Sequence, residues 1–146
     1  MRSVAQSKMA VLLGGWRAEQ TAFLAELVKT PSDNPPGDCA PHAARAAELL
    51  EAMGFTVERH PVPQEAVREY GMQSAVNLVI RKKFGNGGPT IALNAHGDVV
   101  PPGQGWTTDP YGGEIKDGWM YGRGVAVSKS DFATYEIGRA SCRERV

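Results

Sequence analysis

The sequence is poor in several features that would place it in a class at once. Cysteine occurs only twice in 146 residues, too few for a disulfide framework. Lys and Arg balance Asp and Glu at 16 each, so no excess charge calls for nucleic acid as a partner. No apolar run approaches the roughly 18 residues needed to cross a bilayer. The longest early run, Met9 to Leu13, is too short for a signal-peptide core. Internal repeats and a collagen-like period are absent. What is present is 42% hydrophobic residues, too many for a disordered chain. The expectation is a cytoplasmic globular protein without membrane or nucleic-acid partners, of a length that favours one domain or a piece of one.

The end of the chain stands apart. Glu136 to Val146 reads Glu-Ile-Gly-Arg-Ala-Ser-Cys-Arg-Glu-Arg-Val, which matches the translation of a DNA-sequencing library adapter residue for residue. The alternative is a basic helical tail with Arg139, Arg143 and Arg145 on a solvated face. The adapter reading sets 136–146 aside as a read-through artefact. Natural sequence then ends near Tyr135, the chain is a fragment, and Cys39 is its one native cysteine.

The remaining pattern is α/β. Residues 1–14 carry no strong period and read as a flexible lead-in. From Gly15 to Lys29, Trp16, Phe23, Leu24, Leu27 and Val28 recur at helical intervals. The turn formers Thr30 to Gly37 end that helix. A second helix is expected from about Ala40 to Met53, capped by Asp38 or Cys39 and closed by Gly54. Its face of Ala43, Ala46, Ala47, Leu50 and Met53 lets it lie close against a sheet. Three strands are expected to follow, at Phe55–His60, Ala75–Arg81 and Thr90–Ala95. The last two are short apolar runs that read as buried on both faces. Their separator, Lys82 to Pro89, reads as a turn whose lysines are solvated.

The chemistry gathers after the third of these strands. His96 and Asp98 lie two apart where a strand runs into a Pro/Gly loop, and ligand sites in open α/β sheets form outside the carboxyl ends of strands. Neutral imidazole suits zinc, and a neighbouring carboxylate can accept the other ring N–H and fix the tautomer. The alternative is a histidine satisfied by hydrogen bonds at a strand end.

The run His96-Gly97-Asp98-Val99-Val100-Pro101-Pro102-Gly103-Gln104-Gly105-Trp106, then Asp109-Pro110-Tyr111, then Asp117-Gly118-Trp119-Met120-Tyr121-Gly122-Arg123-Gly124, carries more information. It resembles the dinuclear zinc hydrolases of the aminoacylase, acetylornithine deacetylase, succinyl-diaminopimelate desuccinylase and glutamate carboxypeptidase family. The helical opening and Thr30-Pro31-Ser32 also fit. The resemblance implies that 15–135 is the N-terminal portion of a zinc-peptidase-like catalytic domain, two helices followed by strands of a central mixed sheet, truncated. It implies that His96 binds a metal and that Asp98 has a catalytic role as its orienting partner. One or two zinc ions are implied, with cobalt or manganese as substitutes. The metals polarise the scissile carbonyl and activate a water, and a glutamate from a Glu-Glu pair moves its proton. The substrates implied are N-acyl amino acids or small peptides, and the family's smaller domain makes a homodimer one expectation.

The sequence departs from the family at one important place. Lys129 falls where the family lysine does, so Val127 occupies the position of the aspartate that bridges the two metals. Valine cannot ligate. Asp131 lies one helical turn further on and is the candidate metal ligand in its stead. The alternatives are a helix-terminal carboxylate facing the helix dipole, a mononuclear site, or none. Two functions therefore stand: a metal-dependent amidohydrolase of which this chain, with no Glu-Glu pair, is an inactive part, or a non-catalytic relative that binds amino-acid or peptide ligands. Trp106, Tyr111 and Trp119 are read as packing residues, and His42 and His60 as surface residues. Cys39 has no identifiable base. Gly122-Arg123-Gly124 lacks a third glycine, because Val127 stands there, and is not read as a dinucleotide loop.

Overall fold

A computed structural model of the chain describes residues 4–143, with side chains at 11 and 14–136. The first helix, α1, spans Val4–Val28. It therefore begins eleven residues before the expected start at Gly15, inside the stretch read as a lead-in. Ala5, Gln6, Lys8, Met9, Ala10, Leu12 and Leu13 are strong helix formers, so propensity extends the helix where no amphipathic period announces it. The second helix, α2, spans Ala40–Ala52 with Cys39 at its N-cap and Pro41 in its first turn, as expected.

Strand β1, Glu58–Pro61, pairs antiparallel with β2, Val76–Val79, in the register Glu58–Val79 to Pro61–Val76. A short helix, α3, Gln64–Glu69, fills the connection. Strands β3, Glu114–Lys116, and β4, Trp119–Tyr121, form a second antiparallel pair across Asp117-Gly118. Both turn residues have positive φ, 52° and 82°, as a tight hairpin requires. Helix α4, Lys129–Arg143, follows and runs on through 136–143. The α/β class holds. Among the described residues the ladders are these two antiparallel pairs, and parallel pairing is confined to the bridges Asp33–Val99 and Asp38–Ser74.

The third expected strand does not form. Residues 90–95 have no ladder partner, and Ile91 and Leu93 are 79% and 59% exposed, not buried on two faces. An apolar β-type sequence becomes a strand only when a neighbour takes its N–H and C=O groups. Here one tether is described, from the Tyr135 hydroxyl to the Asn94 carbonyl at 3.0 Å.

The core lies where α1, α2 and α4 meet the first hairpin. Phe23 and Leu27 pack with Ala46, Ala47, Leu50, Val57 and Ala133, and Leu78, Ile80 and Phe132 close around them. The small alanines of α2 do bring that helix close, as its sequence suggests. Among the described residues no helix is long and apolar enough to cross a membrane.

Candidate metal centre

The end of α1 and the segment after residue 95 are joined by a short two-way ladder. Val99 N donates to Ser32 O at 3.0 Å, and Asn34 N donates to Val99 O at 2.8 Å. Side chains of the same turn reinforce it. The Ser32 hydroxyl, 1% exposed, donates to Gly97 O at 2.6 Å. Tyr111 donates its phenol proton to Asp33, and burial together with that bond pushes the tyrosine pKa up. These contacts hold His96-Gly97-Asp98 against the body of the molecule although 90–95 just before it is unpaired.

Gly97 is tight for a different reason. A Cβ at this position would lie 2.7 Å from Cε1 and Nδ1 of His42, so the imidazole of α2 forms the floor beneath the segment. His42 was expected on the surface and is instead 3% exposed, edge-on to Phe132 at 6.2 Å. It faces inward because it lies with Ala43, Ala46 and Ala47 on the buried side of α2. Burial, with Lys129 adding repulsion, lowers its pKa to about 3, so it is neutral near pH 7. His60, by contrast, is on the surface as expected, 3.2 Å from Glu58.

His96 and Asp98 come together as the sequence suggests. His96 Nδ1 lies 3.0 Å from Asp98 Oδ1 and 3.1 Å from the Asp98 carbonyl. Both neighbours are acceptors, so Nδ1 carries the ring proton and the lone pair of the neutral imidazole resides on Nε2. The ring is 58% exposed. A lone pair on an oriented, accessible imidazole with a carboxylate behind it is the donor chemistry a divalent zinc-like ion takes, so these residues fit one ligand position.

Asp131 is placed differently. Its carboxylate accepts from the Ser128 hydroxyl at 2.5 Å, and its N–H donates to Ser128 O at 2.9 Å, at the start of α4. Among the described residues no three His, Cys, Asp or Glu side chains gather as a metal-holding group. Val127 is 67% exposed.

Lys129 is the deepest charged group of the site's support. It is 0% exposed and donates to Leu27 O at 3.0 Å and Thr30 O at 2.9 Å. Leu27 O belongs to the last turn of α1, where helical partners run out, and Thr30 O to the turn just beyond it. Burial lowers the lysine pKa to about 8. Gly124 admits it: with φ at +88°, a Cβ there would meet Val99 at 2.8 Å and Lys129 at 3.1 Å. The glycine-rich Gly122-Arg123-Gly124 is therefore a packing device. Arg123 lies over the Trp106 ring at 5.7 Å and donates to Pro102 O at 3.2 Å. Trp106 and Tyr111 do pack, but Trp119, also read as packing, is 72% exposed at the edge of the second hairpin. Burial and the Asp98 charge push the Cys39 thiol up, away from nucleophilic character.

Comparison with known proteins agrees with this region. Residues 92–135 match the family model described as peptidase family M20/M25/M40. Over that segment the chain is similar to that family. It is 38% identical over 126 residues to a succinyl-diaminopimelate desuccinylase of Rhodospirillum centenum, covering 85% of this chain and 30% of that protein. To the protein of the same name in Methylorubrum populi it is 41% identical over 109 residues, covering 73% and 26%. A third, from Anaplasma marginale, is 36% identical over 89 residues, covering 61% and 21%. The chain thus spans less than a third of the length of these relatives. No solved structure matches it significantly. The family segment contains His96, Asp98, Val127 and Asp131.

The site residues that sequence reading missed are His42, Ser32 and Asn34. The turn 30–37 read only as punctuation, because its partners lie 64 and 65 positions away and nothing local betrays them. The buried alanine face of α2 was the available signal for His42.

Proposed function

We propose that the protein to which this chain belongs is a metal-dependent hydrolase of amide bonds in N-acyl amino acids or small peptides. His96 is a metal ligand in it, and Asp98 is the group that orients the ligand. The observation that supports this is the double acceptor facing His96 Nδ1, which leaves Nε2 as the donor. The relatives' names favour a succinylated diamino acid within that substrate class. A bound divalent ion supplies Lewis acidity towards the amide carbonyl and towards water. Asp98 holds the imidazole in one tautomer and one orientation. Asp131, released from Ser128, is proposed as the second carboxylate in place of Val127. The 146-residue chain, without adjacent glutamates to carry the proton, is proposed to be without turnover.

The exposed Val127 at the expected bridging position favours a second reading, a non-catalytic relative that binds amino-acid or peptide ligands. Zinc titration of the full-length protein tests the two ligand roles. His96→Ala is expected to abolish stoichiometric zinc binding, and unchanged zinc content would remove the ligand assignment. Asp131→Asn is expected to weaken binding, and unaltered affinity would return that residue to a helix-terminal role. In the uninterrupted protein, zinc-dependent release of succinate from a succinylated diamino acid supports the hydrolase. Binding of that compound without turnover supports the second reading.

A further inference from the structure

The pair His96–Asp98 continues into a third side chain. Asn34 Nδ2 donates to Asp98 Oδ2 at 3.1 Å, while Asp98 Oδ1 accepts from His96 Nδ1 at 3.0 Å. We propose that Asn34 is a positioning residue for the metal ligand: by pinning the second oxygen of Asp98 it keeps the first on Nδ1 and the ring's lone pair on Nε2. This rests on the ligand role of His96 proposed above.

The physical case is one of torsional freedom. The terminal torsion of an aspartate is broad, and one bond to an exposed imidazole does not fix it. A second bond to the opposite oxygen does, provided that its donor is itself fixed. Asn34 meets that condition, because its own N–H is held by Val99 O at 2.8 Å and the preceding Ser32 carbonyl accepts from Val99 N at 3.0 Å. The buried Ser32 hydroxyl ties Gly97, the residue between the pair, to the same unit at 2.6 Å. Donor and carboxylate therefore move together. The Asp98 side chain is 37% exposed, so water competes for its oxygens, and an amide on a fixed backbone displaces that competitor. Loss of such an outer partner lowers metal affinity by about 10–100-fold.

The test uses the full-length protein, with zinc as the probe in competition with a chromophoric chelator. Long-range proton–nitrogen spectra of the metal-free protein read which His96 nitrogen bears hydrogen. Wild type is expected to carry it on Nδ1. Asn34→Leu, which removes the donor at similar size, is expected to bind zinc about 10–100-fold more weakly and to lose the Nδ1 preference. Asn34→Asp keeps size and shape should leucine disturb folding, and its repulsion of Asp98 is expected to give the same two changes. His96→Ala separates the layers. If it binds zinc like wild type, the underlying ligand reading fails. If it loses zinc while both Asn34 variants keep wild-type affinity and tautomer, the positioning role alone is overturned.

Discussion

Two neighbouring stretches of this chain behave in opposite ways. Residues 90–95 have the apolar composition of a buried strand, yet Ile91 and Leu93 face solvent and no ladder forms. Residues 97–99 are less strand-like in composition, with Gly97 and Asp98, but they are bonded to Ser32 and Asn34 through backbone and side chain. His96 sits at the border. Partners, not composition, decide which stretch is held, because buried N–H and C=O groups must be paired and a strand cannot pair itself.

The largest expected effect tests how firmly the held side is packed. His42 beneath Gly97 has a pKa of about 3 in the fold against 6.5 unfolded. The unfolded chain therefore binds more protons between those values, and stability falls as pH drops through that window. The contribution is fully present above pH 6.5. Between pH 7 and 4.5 the loss is expected to be about 2–3 kcal/mol from this group. Urea midpoints measured against pH check it, and His42→Leu should flatten the slope. An equal slope in the variant would place the titration elsewhere.

Gly97→Ala is expected to destabilise by roughly 1–2 kcal/mol, since the added methyl overlaps the imidazole and forces a shift. Denaturant unfolding measures it. A neutral result would mean that the His42 floor yields freely. The smallest effect belongs to the other stretch. Leu93→Thr should change stability by no more than about 0.5 kcal/mol, because the side chain is already exposed. A loss above about 1 kcal/mol would show that 90–95 is packed in solution and would break the comparison.

How far the sequence could be read follows the same division. The α2 boundaries, the presence of strands near β1 and β2 and the His96–Asp98 contact are legible because their signals are local, whereas the antiparallel pairing of those strands and the helix α3 between them are not. The early start of α1 was hidden because propensity leaves no period. The strand expected at 90–95 fails because a short apolar run signals burial that a partner must supply. Ser32, Asn34 and Lys129 were opaque as supports, since each acts across 64 to 102 positions of chain.

The lysine under α1 also bears on the order of events during synthesis. Its acceptors at Leu27 and Thr30 leave the ribosome 102 and 99 residues before it does. Until that ammonium emerges, Leu27 O has only the Thr30 N–H at 3.4 Å as a backbone donor, and the turn bearing Ser32 and Asn34 is tied forward to Val99. Translation must therefore reach the first residue of α4 before the last bonds at the end of α1 can form, so that end is the late-closing part of the fold.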